Sequence, residues 1–299
     1  MPVSFVDYLQ AKFALDERSL NREVRAAFVD ALRSLSQIDC LDVGSGTCAT
    51  LRRLLNHGLT TPLSLTALDR DAGLLEVARQ NAAAWLHDLR LEPRTDGAGA
   101  LRTDGERLTT IHFAAGELKD HLPQRSYNVI TAHAFLDITP LPQALRSFAA
   151  WLQPGGYFYA SGNYDGDTLL LPVYGDADFE ARLLCYYNHS MEQRLVDGQT
   201  TGGAYCGRRL HALLPNYGFN LRAYGSSDWS ITPLRDAYRD GDAICLTALL
   251  EMIRAQGQTC GLFEQDQLDR WCDDRLRLLR QRRLGLIIHQ LDFLARFDP

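Results

Sequence analysis

The chain has 299 residues, a net charge of −6 and a hydrophobic fraction of 46%. This length accommodates one large α/β domain or one domain with sizeable insertions. The negative charge argues against a nucleic-acid partner, because phosphate binding requires concentrated Lys and Arg. No apolar run is long enough to span a bilayer, so we expect no membrane partner.

The seven cysteines are spaced singly, without a C-x-x-C pair. Single spacing is typical of reduced thiols and gives no metal-ligand cluster, so we expect no bound metal. Residues 1–7 lack the basic and apolar regions of a signal peptide. We therefore expect a cytoplasmic protein, and the sequence leaves its oligomeric state open.

The first predicted element is an amphipathic helix over residues 16–35, with Asp16 as its N-cap. Strands and helices then alternate, which is typical of a parallel sheet with right-handed crossovers. The predicted elements are strand 40–43, helix 48–57, strand 63–68, helix 71–88, strands 109–114 and 127–132, helix 141–152 and strand 156–161.

The simple alternation stops after Asp165. The later predicted elements are a helix over 210–217, a strand-like segment over 219–231, helices over 239–256 and 264–282, and a last strand over 286–294. The last of these helices carries arginines that alternate with leucines. This pattern predicts a solvated face rather than an RNA-binding surface. The arginines are Arg275, Arg277, Arg280, Arg282 and Arg283.

The most informative segment is the turn after the first predicted strand. It contains Asp42, Gly44 and Gly46, and it leads directly into a helix. Glycines let the backbone approach a ligand closely, and the start of the helix offers unpaired N–H groups. Asp69 ends the next predicted strand, where a carboxylate can accept hydrogen bonds from both hydroxyls of a ribose. The pair of features predicts a site for an adenosine-containing ligand.

Two kinds of adenosine-containing ligand fit this turn, a dinucleotide and a ligand that carries an ammonium group. Gly44, Gly46 and Ala49 also match the G-x-G-x-x-G/A fingerprint of dinucleotide sites. A buried acid at position 42 suits an ammonium group and is unfavourable beside a pyrophosphate. An NAD-dependent oxidoreductase therefore remains an alternative that Asp42 disfavours.

The string LDVGSGTC at residues 41–48 resembles the first motif of the class I S-adenosylmethionine-dependent methyltransferases, acid-x-G-x-G-x-G. Cys48 stands where that family usually has its third glycine. Three further segments resemble family motifs in the expected order: residues 68–70, residues 115–118, and residues 151–156 before the predicted strand.

The resemblance implies S-adenosyl-L-methionine as cofactor and assigns residues to it one by one. Asp69 and Arg70 correspond to the ribose-binding segment, and Glu117 and Leu118 to the segment that contacts the adenine. The implied cofactor-binding residues are Asp42, Gly44, Ser45, Gly46, Asp69, Arg70, Glu117, Leu118 and His133.

The resemblance also implies a doubly wound α/β fold. Its mostly parallel, seven-stranded, Rossmann-like sheet has an antiparallel final strand between the fifth and sixth. The segments beyond the strand ends are then helical insertions that form a lid over the site. The expected division is an N-terminal helical cap (1–38), a cofactor-binding core (39–164), a lid insertion (165–207), a helix and sixth strand (208–234), a helical insertion (235–282) and a final strand (283–299).

Candidate catalytic and substrate-binding residues lie at the ends of the fourth and fifth strands and in the first insertion. His133 is a candidate general base, with a backbone-bonded histidine as the equally weighted alternative. Tyr164 is the second catalytic candidate. The candidate substrate-binding residues are Asn163, Tyr186, Tyr187 and Arg194. The sequence also permits an N-terminal helix that folds over the cofactor, through Tyr8, Lys12 and Arg18.

The leading interpretation is a methyltransferase that acts on an O, N or C nucleophile of a small molecule by in-line displacement. Three alternatives remain besides this interpretation. They are an enzyme that uses the same cofactor for cyclisation or aminocarboxypropyl chemistry, the oxidoreductase named above, and a non-catalytic ligand-binding partner subunit.

Overall fold

The computed structural model describes residues 3–58, 61–103, 108–123 and 126–299. The α-helices in these ranges are α1 (Phe5–Ser19), α2 (Arg22–Arg33), α3 (Ala49–Asn56), α4 (Ala72–Asp88), α5 (Leu141–Trp151), α6 (Ala177–Glu192), α7 (Cys206–Leu213), α8 (Asp242–Thr259) and α9 (Gln265–Arg280). The strands are β1 (Ile38–Val43), β2 (Leu63–Asp69), β3 (Arg94–Thr95), β4 (Leu101–Arg102), β5 (Thr109–Ala115), β6 (Tyr127–His133), β7 (Leu152–Leu171), β8 (Leu195–Val196), β9 (Gln199–Thr200), β10 (Phe219–Ser226), β11 (Trp229–Ile231) and β12 (Gly285–Phe297).

The central sheet runs in the order β10-β12-β7-β6-β1-β2-β5-β4-β3. Strands β5, β2, β1, β6 and β7 are parallel, and β12 lies antiparallel between β7 and β10. The predicted seven-stranded α/β topology is therefore confirmed. The described sheet is larger than predicted, because β3 and β4 extend it beyond β5 and β11 pairs with β12.

The predicted helix over residues 16–35 is confirmed over residues 22–33 and wrong at its start. The chain forms α1 and α2, which are separated at Leu20 and Asn21. The Asn21 side chain accepts hydrogen bonds from the backbone N–H groups of Glu23 and Val24, both at 3.1 Å, so it caps a new helix. Asp16 is not a cap; it lies inside α1 and is buried.

The strand predicted over residues 156–161 runs much further, from residue 152 to residue 171 as β7. Its extension pairs with the first residues of β12, from Gly285↔Leu171 to Ile288↔Thr168. Helices α6, α8 and α9 cover this extension and share a third apolar core with it. Residues 165–171 therefore belong to the sheet rather than to an insertion, because pairing with β12 satisfies their backbone groups.

The predicted solvated arginine face on α9 is wrong at one position. Arg275 is fully buried and pairs with Glu180 of α6, its Nε donating to Oε2 over 2.8 Å. The indole N–H of Trp271 donates to the same carboxylate oxygen over 2.7 Å. The ion pair between Arg275 and Glu180 holds α6 against α9. Arg277 does follow the prediction, since its side chain is 60% exposed.

Two apolar cores lie on the two faces of the sheet, and the edge formed by the carboxyl ends of its parallel strands lies between them. Strands β1, β2, β5 and β6 all present their carboxyl ends at this edge. Ligands bind at such an edge in open α/β sheets. No helix of the described residues is long and apolar enough to cross a membrane.

Candidate cofactor site

A cavity of about 280 Å³ lies at the carboxyl ends of β1, β2, β5 and β6. All nine residues predicted to bind the cofactor line it. They are Asp42, Gly44, Ser45, Gly46, Asp69, Arg70, Glu117, Leu118 and His133. The fold thus brings together residues that are up to 91 positions apart in the chain, because the parallel strands end at one edge.

The turn between β1 and α3 needs its glycines for geometric reasons. Gly44 and Gly46 have φ angles of 63° and 51°, in the region that glycine adopts most readily. A Cβ atom on Gly44 would also overlap the ring of Phe135. The turn is held by the backbone N–H of Ser45, which donates to the carbonyl oxygen of Leu68 over 3.0 Å. These constraints bring the backbone of the turn to the cavity wall.

Cys48 lies just outside the cavity. It is completely buried in the core between the sheet and its helices, and its φ of 68° is unusual for a residue with a side chain. The third position of the motif therefore retains the backbone conformation that glycine favours, although a cysteine side chain stands where glycine has a hydrogen atom. The thiol faces the protein core.

We expect Cys48→Gly to leave cofactor affinity within a few-fold of the wild type. Glycine relieves the left-handed backbone but removes a buried thiol, and these effects on stability oppose one another at about 1 kcal/mol each. Calorimetric titration with S-adenosylhomocysteine and a thermal unfolding curve measure the two quantities. Cys48→Ala is the matched control, since it removes the thiol and keeps the strain. A loss of binding in both variants would give the thiol a direct role in the site, whereas a loss in Cys48→Gly alone would be an effect on the backbone of the turn.

Asp69 connects the glycine turn to the start of α4. Its Oδ2 accepts the backbone N–H of Gly46 over 2.8 Å, and its Oδ1 accepts that of Asp71 over 3.0 Å. A carboxylate has about four acceptor positions, so each oxygen keeps capacity for one more donor. The half-exposed carboxylate is thus held in place by the backbone and remains able to receive a pair of hydroxyls.

Asp42 is buried under the turn with one oxygen unpaired. Its Oδ1 accepts the Thr131 hydroxyl over 2.7 Å, whereas Oδ2 has no hydrogen-bond partner. Burial raises the pKa of this carboxyl to about 6. The Ser45 hydroxyl, also on the cavity wall, is likewise buried and unpaired. Unpaired polar atoms of this kind are costly unless a ligand satisfies them, so both fit a ligand with a cationic donor.

His133 lies at the end of β6 with both ring nitrogens occupied. Nδ1 is 2.9 Å from the Ser161 hydroxyl, and Nε2 is 2.8 Å from Oδ2 of Asp16. The guanidinium of Arg53 also approaches Nε2, at 3.2 Å. Burial, together with that guanidinium, lowers the pKa of His133 to about 4. With both ring nitrogens held in contacts of this kind, the ring has no nitrogen free to take a substrate proton.

Helix α1 covers the cavity. Phe5, Leu9, Lys12 and Asp16 line it, and their spacing places them on one face of the helix. Asp16 anchors the helix, because its carboxylate lies 3.0 Å from the Lys12 ammonium and accepts the Trp229 indole N–H over 3.0 Å. Of the three N-terminal residues that the sequence suggested over the cofactor, only Lys12 lines the cavity.

Sequence reasoning missed Phe5, Leu9 and Asp16 as cavity residues. The signal that could have found them is the helical spacing of positions 5, 9, 12 and 16. It was missed because the predicted helix began only at residue 16. Arg18 instead pairs with Asp242 at the start of α8. Tyr8 packs into the third core.

The remaining predicted residues lie away from the cavity. The hydroxyl of Tyr164 donates to the Asn188 side chain over 2.7 Å, and the Asn163 amide donates to the carbonyl oxygen of Leu291 over 2.8 Å. Tyr186 packs edge-on against Phe263. Tyr187 contacts the third core, and Arg194 is exposed at the end of α6.

The predicted lid over 165–207 therefore needs correction, since Val196 is its one residue among the described lining residues. Segment 174–194 contributes none of them. It packs against α8 and the β7 extension because its apolar residues complete the third core there. The cover is provided by α1, and the 235–282 insertion supports it, since α8 packs on α1.

Fold and site together define a doubly wound α/β domain with a cavity at the carboxyl ends of its parallel strands. Residues 41–158 match the family model described as a methyltransferase domain. The matched residues include the glycine turn, Asp69 and the segment after β5, on which the resemblance to the class I S-adenosylmethionine-dependent methyltransferases rests. No curated protein sequence matches the chain.

Several solved structures resemble the chain at low identity. A S-adenosylmethionine-dependent methyltransferase from Thiobacillus denitrificans, in complex with S-adenosylhomocysteine, is 14% identical, with 99% of each chain covered and a TM-score of 0.46. YcgJ from Bacillus subtilis is 11% identical over 93% of this chain and 100% of its own, with a TM-score of 0.48. Geranyl diphosphate C-methyltransferase from Streptomyces coelicolor is 10% identical over 92% of this chain and 78% of its own, with a TM-score of 0.44.

Proposed function

We propose that the protein transfers the methyl group of S-adenosylmethionine to an O, N or C nucleophile of a small molecule by in-line displacement. The observation that carries this proposal is the cavity beneath α1. It is lined by every predicted cofactor residue and is covered by a helix. A covered cavity of about 280 Å³ suits a small acceptor better than a polymer.

The residues of the cavity fit the cofactor at four points. Asp69 offers acceptor capacity for the ribose hydroxyls, and Glu117 and Leu118 lie beside it at the end of β5, in reach of an adenine. The unpaired Oδ2 of Asp42 suits the ammonium of the methionine end. Lys12 lies on the opposite wall and provides a cation for the carboxylate of that end.

The cofactor, when bound, supplies a methyl group on a positively charged sulfur atom. The chain then has to position the acceptor and exclude water, because an attacking atom must lose its hydration shell. Phe5, Leu9, Phe135 and Ile138 provide an apolar lining for this purpose.

We place His133 as a positioning residue rather than as the general base that the sequence suggested. Its neutral ring connects β6 to Asp16 and so holds α1 over the cavity. Tyr164 has no part in the proposed chemistry, since its hydroxyl is bonded to Asn188 away from the cavity.

The proposed ammonium contact predicts a pH dependence. The pKa of Asp42 is raised to about 6, by burial first and also by the nearby charge of Asp69, whereas Thr131, Thr50 and Arg53 oppose the shift. Below that pH the carboxyl becomes neutral and attracts an ammonium less strongly. We therefore expect affinity for S-adenosylhomocysteine to fall as the pH decreases through about 6.

Calorimetric titrations between pH 5 and pH 8 measure this dependence. In Asp42→Asn the affinity should be lower and independent of pH over the same range, because the amide does not titrate there. A wild-type affinity that stays constant down to pH 5 would contradict the ammonium assignment.

The test of the function is incubation of the protein with S-adenosylmethionine and a panel of small amines, phenols, carboxylates and carbon acids. Mass spectrometry then follows both the methylated acceptor and the cofactor product. We expect S-adenosylhomocysteine to form only when an acceptor is present. Methylthioadenosine formed without an acceptor would instead support the cyclisation or aminocarboxypropyl alternative. Binding of NAD in place of S-adenosylhomocysteine would support the oxidoreductase, and binding of neither would support the non-catalytic subunit.

A further inference from the structure

A second cleft, of about 290 Å³, adjoins the cofactor cavity on its outer side. It lies between α1, α3 and α4. Its lining residues are Leu9, Gln10, Phe13, Thr47, Ala49, Arg52, Asn81 and Trp85. Three of these residues, Leu9, Thr47 and Ala49, line the cofactor cavity as well. The two spaces therefore share a wall.

Arg52 is the only charged residue among the described residues that line this cleft. Its Cζ atom lies 4.2 Å from the ring centre of Phe13 and 5.5 Å from that of Trp85. Contact with two aromatic rings restricts the planar guanidinium and lowers the entropy that it would lose on binding a ligand.

The guanidinium of Arg52 forms no ion pair with any carboxylate of the described chain. The adjacent Arg53 is the internal comparison, because its Nε donates to Glu17 over 2.5 Å. Arg53 is thus used within the protein, whereas the N–H groups of Arg52 remain available. A fixed guanidinium with free N–H groups matches the bidentate geometry of a carboxylate or phosphate.

Two side-chain amides add neutral polar groups to the cleft. Asn81 makes one long contact, at 3.5 Å, from Nδ2 to the carbonyl oxygen of Thr47. Its second amide N–H and the exposed amide of Gln10 remain free to donate. One cation, two amides and no acid among the described lining residues favour an anionic ligand over a cationic one.

We propose that this cleft binds the oxyanion of a small molecule, a carboxylate or a phosphate, with Arg52 as its receptor. The anion site goes beyond the proposed methyl transfer and does not rest on it, whereas its coupling to the neighbouring cavity rests on the cofactor binding proposed there. An anion at Arg52 contacts α1 and the start of α3, which also form walls of the cofactor cavity. Occupancy of one site then stabilises the other, and the coupling is reciprocal.

The test uses the full-length protein without cofactor. It is titrated with inorganic phosphate and, separately, with acetate, while sodium chloride keeps the ionic strength constant. We expect a saturable rise in the thermal unfolding midpoint with an apparent Kd on the order of 1 mM. Arg52→Met keeps an apolar chain between the two rings and should weaken this binding at least about tenfold. The control is Arg270→Gln, an exposed arginine of α9, which should bind like the wild type.

A second readout is the affinity for S-adenosylhomocysteine with and without saturating phosphate. We expect a few-fold gain in the wild type and none in Arg52→Met. Saturation by one anion only supports the site and identifies its ligand chemistry. No saturation by either anion, or an equal loss in the Arg270→Gln control, would overturn the proposal. If Arg52→Met does not fold, Arg52→Lys, which keeps the charge and loses the planar fork, provides the same test with a smaller expected loss.

Discussion

Replacing Asp69 by alanine should weaken S-adenosylhomocysteine binding by about 1.5–3 kcal/mol, or roughly 10- to 150-fold. The change removes the charged acceptor that we propose for the two ribose hydroxyls. It also frees the N–H groups of Gly46 and Asp71, which the carboxylate now orients. Both effects act on the same wall of the cavity, so the loss should be among the largest of any single change there. Isothermal calorimetry measures it.

Asp71→Ala is the matched control for this prediction. Asp71 also lines the cavity, and its side chain caps α4 by accepting the backbone N–H groups of Gly73 and Leu74. Its loss should cost about 1 kcal/mol of stability and leave the ribose acceptor in place. Asp69→Asn should bind with intermediate affinity, since the amide keeps one acceptor oxygen. Unchanged affinity in Asp69→Ala would refute the ribose assignment.

Breaking the buried pair between Arg275 and Glu180 should give the largest loss of stability. Arg275→Met leaves the Glu180 carboxylate buried with the Trp271 indole as its remaining partner. Removing one partner of such a pair costs about 3–5 kcal/mol, because an uncompensated charge stays out of water. We expect this decrease in the free energy of unfolding, measured by denaturant titration.

The double variant Arg275→Met/Glu180→Gln separates the charge effect from packing. It removes both charges and keeps an oxygen for the Trp271 N–H, so it should be more stable than Arg275→Met. Arg277 lies two residues further along the same helix and is exposed. The free energy of unfolding of Arg277→Met should therefore lie within about 0.5 kcal/mol of the wild-type value. A double variant as unstable as the single one would mean that packing of the Arg275 side chain, and not its charge, holds α6 against α9.

Local patterns in the chain predicted well which residues would meet at one cavity. Asp42, the two glycines and Asp69 each follow a short apolar strand, and the carboxyl ends of parallel strands meet wherever such a sheet forms. Local spacing was therefore enough to place these residues on one cavity. Local patterns also located the last strand, whose antiparallel direction the family resemblance implied. They underestimated the length of β7 and β12, whose ends are stabilised by each other.

Most of the candidate catalytic and substrate-binding residues lie away from this cavity, for a physical reason. Tyr164 lies on β7, as expected, but the direction of its side chain depends on Asn188, 24 residues later. His133 is in the cavity wall, yet its two nitrogens are occupied by Ser161 and Asp16, from elements far away in the chain. No local pattern reports such partners.

The sequence by itself determined the alternation of strands and helices and the residues of the glycine turn, because these depend on short-range periodicity and on single backbone conformations. The order of the strands was implied by the family resemblance and not by periodicity. Only the tertiary structure decided that α1 rather than segment 174–194 covers the cavity, and that Arg275 is buried whereas Arg277 is exposed. Both outcomes depend on which apolar surfaces meet when distant helices pack, and amphipathic helices of similar pattern compete for the same surfaces.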